Sequence, residues 1–337
     1  MSKPIITGLM SYGMSGKIFH APFLASNPGF FFKAVAERHE KTAALKYPGL
    51  KSYDSIEELL ADDEIELIVV NTPNYTHYDF AVRALHAGKH VLIEKPATVT
   101  CAEAKSLFAL GRGLNLKVMI YQNRRYNSDF LSVRDVIEGG KLGKLLEIHF
   151  RIDRYRMAIG GKQFKESKDV PGNGLMYDLG SHLIDGAISI LGKPLSYTKT
   201  TAAHRPGSEV DDYFHFHLKY PAQLNVYLTS GLLIAEPEAG FVVHGTSGSF
   251  LKMRTDIQES QLMKDMLPDE NDFGIEAEGS EGKLVTINGD EKSVEALIAP
   301  KGAYNELFNV VHHTIRSNTP FPITEEQIIW QLEMLET

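Results

Sequence analysis

A lysine that ends an apolar run, and an aspartate four residues ahead of a histidine, are the side chains of this sequence best placed to manage a proton and a developing charge. The run is Val91-Leu92-Ile93-Glu94-Lys95-Pro96. A short continuous β-rich stretch bounded by turn residues predicts a buried parallel strand, with Lys95 at its carboxyl end. Open α/β sheets bind ligands outside the carboxyl ends of their strands, and Pro96 restricts the backbone around the lysine. A solvated lysine at a strand end fits the hexapeptide equally well. The second constellation lies in Gly172-Asn173-Gly174-Leu175-Met176-Tyr177-Asp178-Leu179-Gly180-Ser181-His182. A glycine-rich approach delivers Asp178 to a helix start, where a carboxylate caps exposed N–H groups, and His182 follows on the same face. A carboxylate and an imidazole can then face one ligand, and histidine gives and takes protons near neutrality. The plainer alternative is a helix cap followed by a packed histidine. A metal reading of Asp178, His182 and Asp185 lacks the further histidine or cysteine spacing that would complete a site, and no metal is expected.

The elements that must position these groups alternate between strand and helix. Pro4 to Met10 predicts a strand that runs into Ser11-Tyr12-Gly13-Met14-Ser15-Gly16, a turn opening a helix. A dinucleotide fold uses such a junction to offer backbone N–H groups to pyrophosphate. Gly13 and Gly16 keep two positions of the G-x-G-x-x-G fingerprint, while Ser11 replaces the first. A second strand, Phe31 to Ala36, ends at Glu37-Arg38, where the fingerprint expects a group reading the adenosine ribose. Glu37 suits the ribose hydroxyls of NAD and Arg38 the 2′-phosphate of NADP, so the two signals conflict. A third strand, Ile65 to Val70, ends in Thr72, Pro73, Asn74 and His77, beside the same crevice. Helices near Ser55 to Ala61, Tyr78 to Ala87 and Ala102 to Gly111, and a strand at Lys117 to Tyr121, complete an expected Rossmann domain over residues 1–122.

After Tyr121 the pattern changes. Leu145 to Tyr155, Asp211 to Lys219 and Leu224 to Ser230 alternate apolar with polar residues, as antiparallel strands with one covered face do. Residues 123–337 are therefore expected to form an α+β domain with a large, mainly antiparallel open sheet, used for substrate binding and oligomerisation. The uncovered face makes a homo-oligomer, dimer or tetramer, reasonable. Asp265 to Gly282 is acidic and glycine-containing enough to be a mobile loop.

Composition narrows the ligand. The chain has 337 residues, 43% hydrophobic and 23% charged, with 35 basic against 43 acidic side chains and a net charge of -8. That balance argues against nucleic acid or an anionic membrane as partner, and no apolar run approaches a membrane span. A single cysteine, Cys101, and the lack of an export signal predict a cytoplasmic protein.

With both constellations in view, the chain resembles the glucose-fructose oxidoreductase, inositol dehydrogenase and rhizopine-catabolism (Gfo/Idh/MocA) family. The matching pieces are the Ser11 to Gly16 turn with Lys17-Ile18-Phe19-His20-Ala21-Pro22, the Thr72-Pro73-Asn74 strand end with His77, the approach to Glu94-Lys95-Pro96, and Tyr177-Asp178-Leu179-Gly180-Ser181-His182. Asn123-Arg124-Arg125 and Asp153-Arg154-Tyr155-Arg156 are similar to the branch that includes NADP-dependent scyllo-inositol dehydrogenases. The resemblance implies an NAD(P)-dependent dehydrogenase acting on a secondary alcohol or ketone of a cyclic polyol or sugar. It implies Lys95, Asp178 and His182 as catalytic residues. Ser11 to Gly16, Glu37, Arg38, Thr72, Pro73, Asn74, His77, Glu94 and Lys95 would bind cofactor, and Arg124, Tyr155, Tyr177, Asp178 and His182 substrate. Within that scheme His182 is the base, Lys95 the cation beside the reacting oxygen, and Asp178 the group that orients the histidine. A cofactor-sensing regulatory protein on the same fold is the alternative. A purely structural scaffold would leave the Thr72 to His77 cluster unexplained.

Overall fold

The computed structural model describes residues 3–160 and 163–336, so the outermost residues of the two expected domains fall outside it. The first sheet comprises β1 (Ile5–Leu9), β2 (Phe30–Ala36), β3 (Lys51–Tyr53), β4 (Leu67–Val70), β5 (His90–Glu94) and β6 (Val118–Tyr121). All pairings are parallel, in the order β3-β2-β1-β4-β5-β6. This is the doubly wound dinucleotide-binding order, with its crevice at the carboxyl edge where β1 and β4 diverge to opposite sides. Every residue of β4 is buried, which is why that strand reads as an unbroken aliphatic run. Gly88, at φ +75, ends the helix His77–His86 and turns the chain into β5.

The second sheet comprises β7 (Leu145–Arg151), β8 (Ser196–Ala202), β9 (Tyr213–Lys219), β10 (Asn225–Gly231), β11 (Phe241–Gly245), β12 (Gly248–Lys252), β13 (Gly282–Asn288) and β14 (Glu291–Leu297). Its order is β14-β13-β12-β11-β7-β10-β9-β8, and only β7 and β10 pair in parallel. Alternation sorts the side chains: Ile148, Phe150, Phe214, Phe216, Val226 and Leu228 are buried, while His149, His215, His217 and Tyr227 lie half-buried on the other face. Helix Ser128–Glu138 covers the buried face, with Phe130 packed edge-on to Phe150 at 6.4 Å, and helix Ser181–Leu191 lies beside it.

The chain then returns to the first sheet. Phe308, on helix Tyr304–Arg316, stacks on Phe23 at 5.1 Å and also meets Phe30 and Tyr121. The acidic stretch from Asp265 to Gly282 is not a free loop. Its Glu276 is buried, accepts from Lys252, Ser128 and Thr255, and ties the stretch to β12. Among the described residues no helix is long and apolar enough to cross a membrane.

Candidate active site

The first glycine-turn residue is shaped by the strand beside it. Asn71, just past β4, accepts from the Ser11 N–H at 3.0 Å and donates to the Ser11 carbonyl at 2.8 Å, clamping the start of the turn from both sides. Ser11 is not among the residues of positive φ, so the backbone here does not require glycine. Gly16 is different: a Cβ there would lie 2.2 Å from the Ser11 carbonyl oxygen, closer than atoms can pack. A Cβ at Gly13 would meet only the Ser11 hydroxyl, at an ordinary contact distance of 3.5 Å, and that hydroxyl accepts the Gly13 N–H at 3.3 Å. The helix that follows opens with a π-turn, Gly16–His20, a geometry concentrated at functional sites.

A crevice of about 630 Å³ runs along this edge, lined by Ser11, Tyr12, Glu37, Arg38, Thr72 and Pro73 among others. That is ample for half a dinucleotide. Glu37 touches the crevice wall, but its carboxylate is directed inward. It accepts from the N–H of Thr42 at 2.9 Å, the N–H of Ala43 at 3.2 Å and the Ser52 hydroxyl at 2.7 Å. It caps the short helix Ala43–Lys46, leaving little of it to address a ribose. Arg38 is exposed on the same wall and forms no ion pair with the described residues. A nicotinamide dinucleotide is compatible with these walls, because Gly16 admits close packing, Gly13 is exposed in the turn, and Arg38 on the crevice wall forms no ion pair with the described residues. Lys17 and Arg83 also line the crevice and were not singled out by the sequence pattern.

Two expected cofactor ligands act through other residues. His77 is fully buried, with its ring nitrogens 2.8 Å from the Pro96 carbonyl and 2.9 Å from the Thr72 carbonyl. Burial lowers its pKa against the opposing pull of these two carbonyls, and the ring is wedged between the loops after β4 and β5. Asn74 donates to the Gly172 carbonyl at 3.1 Å, joining the loop after β4 to the glycine-rich approach of the second constellation. Met14 and Tyr12 flank the crevice turn, while the Ser15 hydroxyl donates to Glu94 at 2.6 Å.

Glu94 gathers this corner. Its carboxylate also accepts hydrogen bonds from His20 Nε2–H at 2.8 Å and from the Lys95 backbone N–H at 3.2 Å. Burial alone would raise its pKa, but His20, Ser15 and Lys95 outweigh that and hold the carboxyl at about 2. It is a fixed anion that orients the residue after it.

Lys95 then crosses to the second constellation. Its Nζ donates to the Asp178 carbonyl at 2.7 Å and to Asp178 Oδ1 at 3.0 Å. An ammonium carries three hydrogens, so one remains for a substrate oxygen. Asp178 lies in a π-turn, Met176–Gly180, and does not cap the helix. The capping role belongs to Asp211, whose carboxylate accepts from the Met176 N–H at 2.6 Å and whose Oδ1 fills the space a Gly174 Cβ would need. Neighbouring protein strips some water from Asp178, which alone would raise its pKa. Lys95, then Lys165 and Arg154, overcome this and hold it at about 2. Such a carboxylate takes up no proton near neutrality. It accepts hydrogen bonds.

His182, one helical turn on, is 9% exposed. Its Nδ1 is buried without a protein partner, which is not true of Nε2. Burial, followed by the charges of Lys95, Arg124, Arg254 and Arg154, holds its pKa well below the ordinary histidine value. The neutral ring is therefore the resting form.

The remaining expected substrate residues are placed differently. Tyr177 turns aside, its hydroxyl donating to the Val99 carbonyl at 3.2 Å, and burial pushes its pKa to about 12. Arg124 is held by Asp256 and Glu259 beneath the cleft. Tyr155 is exposed on the rim, bridged to Leu233. Sequence reasoning missed the bidentate pair of Arg125 on Asp185, at 2.7 and 2.8 Å, which anchors the helix carrying His182. No local pattern links residues sixty positions apart.

A parallel dinucleotide sheet with a lysine just past β5 that meets an aspartate one helical turn before a buried histidine, beside a second large sheet, is the arrangement of an NAD(P)-dependent dehydrogenase. Comparison with known proteins agrees: residues 6–122 match the family model described as "Oxidoreductase family, NAD-binding Rossmann fold", and residues 130–251 match the "GFO/IDH/MocA C-terminal domain". The chain is 39% identical to an uncharacterized oxidoreductase of Schizosaccharomyces pombe, over 99% of this chain and 96% of that protein. It is 30% identical to the scyllo-inositol 2-dehydrogenase (NADP(+)) of Bacillus subtilis, over 98% and 92%. The crystal structure of an oxidoreductase from Bacillus cereus superposes with a TM-score of 0.89 at 33% identity, covering 98% of this chain and 95% of the other. The chain belongs to the Gfo/Idh/MocA family of NAD(P)-dependent oxidoreductases.

Proposed function

We propose that this enzyme moves a hydride between nicotinamide and the carbinol carbon of a cyclic polyol or sugar, with His182 handling the hydroxyl proton. The observation that carries the reading is the Lys95 to Asp178 contact at 3.0 Å, which brings the lysine to the aspartate one helical turn before His182. When bound, NAD(P) supplies the hydride acceptor or donor. In alcohol oxidation His182 Nε2 takes the hydroxyl proton, and the free Lys95 hydrogen meets the oxygen as negative charge grows on it. The second carboxylate oxygen of Asp178 receives a neighbouring hydroxyl, which suits a ligand with adjacent hydroxyl groups. The related scyllo-inositol 2-dehydrogenase is a polyol enzyme by name, which supports the class of ligand. The test is nicotinamide absorbance with purified protein, each cofactor, and a panel of inositols, aldoses and their keto forms. Turnover with at least one of them is expected, and silence across the panel with cofactor demonstrably bound would overturn the reading.

The same reading places pyrophosphate at Tyr12 to Ser15 and the adenosine ribose beside Arg38. It takes NADP as the preferred cofactor, because Glu37 is occupied by Thr42, Ala43 and Ser52 while Arg38 is free. Arg38→Ala is expected to weaken NADP binding by at least tenfold and NAD binding little, measured as two dissociation constants by fluorescence titration. Equal losses would remove Arg38 from the phosphate.

A homo-oligomer, dimer or tetramer, belongs to this proposal as well. His149, His217 and His215 stack on Tyr227 at 4.9, 4.7 and 5.8 Å across the uncovered face of the second sheet, forming an aromatic platform suited to a second copy. Tyr227→Lys is expected to shift the sedimentation coefficient to that of the monomer, and an unchanged coefficient would place the interface elsewhere. Cytoplasmic residence fits Cys101, whose thiol is pushed up to about 12 by burial and then by Glu336 and so stays protonated and unreactive.

A further inference from the structure

Beside His182, a narrow space of about 20 Å³ lies between the helices Ser128–Glu138 and Ser181–Leu191. Three of the residues lining it carry buried polar atoms without a protein hydrogen-bond partner: His182 Nδ1, Arg124 Nε, and both Nδ2 and Oδ1 of Asn127. Asn127 is 2% exposed and stands at the N-cap of its helix, yet its side chain makes no cap hydrogen bond. An asparagine there ordinarily accepts from the first turn, so its amide is diverted from the usual role. Leaving four buried polar atoms unmatched is costly. The space exceeds the ~10–15 Å³ that one water occupies and is far too small for a sugar.

We propose that one ordered water fills this space, joining Asn127 and Arg124 to His182 Nδ1, and that Asn127 is thereby a positioning residue for the proton-transferring histidine. Water offers two hydrogens and two lone pairs. It can accept from Arg124 Nε–H and donate to Asn127 Oδ1, and still either accept from His182 Nδ1–H or donate to an unprotonated Nδ1. Oxidation needs the lone pair on Nε2 and hence the hydrogen on Nδ1, and the ring becomes imidazolium as Nε2 takes the hydroxyl proton. Reduction starts from that imidazolium and returns the same neutral ring, so in both directions the water accepts from Nδ1–H and holds the ring. A carboxylate at Nδ1 would fix the same arrangement and favour the charged ring. The carboxylates near His182 are engaged otherwise: Asp185 holds Arg125, Asp129 accepts the N–H groups of Phe130 and Thr255, and Asp178 holds Lys95. The cations that act on His182 are Lys95, Arg124, Arg254 and Arg154, so a neutral partner at Nδ1 leaves their repulsion unopposed and the ring uncharged.

The proposal rests on His182 as the acid–base group, and its test has a part that does not depend on activity. A high-resolution crystal structure of the holoenzyme is expected to show one spherical density peak within hydrogen-bond distance of Asn127, Arg124 and His182 Nδ1. Asn127→Leu should expel that water and lower kcat about tenfold or more in both directions, with cofactor affinity unchanged, because a misheld ring misses its near-attack geometry. Asn127→Asp, of the same shape, should move the acid limb of the oxidation pH profile upward and, by keeping the ring protonated to higher pH, extend reduction to higher pH. An empty peak position, or two variants with the wild-type profile in both directions, would overturn the proposal. If the peak is present but His182→Ala leaves activity intact, the acid–base reading of His182 fails, and with it Asn127's positioning role, while the water site stands.

Discussion

Replacing His182 by alanine is expected to lower turnover by about 10²–10⁴-fold, the usual worth of a positioned proton acceptor, while the dissociation constant for NADP stays within a factor of a few. The asymmetry follows from placement. His182 lies on a helix that packs against the second sheet, and it is not among the residues lining the crevice of Ser11, Glu37 and Arg38. No other group here can take over cheaply, since Asp178 is held at about 2 and Tyr177 is pushed up to about 12. The pH profile adds a second signature. Oxidation requires the unprotonated ring, so activity rises with pH through the His182 pKa and then levels. Because burial and four nearby cations lower that pKa, the midpoint should lie on the acid side of the ordinary histidine value, about 6.5, when chemistry limits the rate. His182→Ala should lack the limb altogether. Wild-type turnover in the variant would move the base role elsewhere.

Lys95→Ala is expected to produce a different pattern, with turnover reduced by about 10²–10³-fold and cofactor binding weakened at the same time. Lys95 ends β5 inside the dinucleotide edge and is also the hydrogen-bond donor that reaches Asp178, so its removal affects charge at the reacting oxygen and the bridge between the two halves of the site. Asp178 would then lose the strongest of the charges that hold it ionised, and its pKa should climb from about 2 toward the ordinary carboxylate range. Steady-state kinetics and a separate cofactor titration on the folded variant distinguish the two losses. A variant that keeps full turnover would detach Lys95 from the chemistry.

The parts of this site that could be read from the sequence are those encoded locally. An aliphatic run ending in Glu94-Lys95-Pro96 specifies both a buried strand and the point where its lysine emerges, and four residues between Asp178 and His182 specify one helix face. What stayed hidden depends on partners distant in the chain. Glu37 and Arg38 look equally able to meet the ribose until β3, only three residues long and invisible as a pattern, brings Ser52 to the Glu37 carboxylate. Asp178 looks like a helix cap until Asp211, thirty-three positions later, takes that place. The outer strands β13 and β14 were missed for another reason. β14, Glu291–Leu297, is an edge strand exposed along nearly all its length, so it carries little apolar alternation to detect. The return of Phe308 to the first sheet is likewise a matter of packing that no local period announces.

Direct transfer of hydrogen from substrate carbon to nicotinamide is the central claim, and an isotope label tests it most directly. The polyol or sugar that turns over is prepared with deuterium on its carbinol carbon, incubated with enzyme and NADP in ordinary water, and the reduced cofactor is analysed by mass spectrometry. Deuterium retained on the nicotinamide ring, with a slower rate than the unlabelled substrate when chemistry limits, is the expected result. Deuterium lost to solvent, with an unlabelled reduced cofactor, would contradict a hydride passing between carbon and nicotinamide in the cleft formed by Lys95, Asp178 and His182.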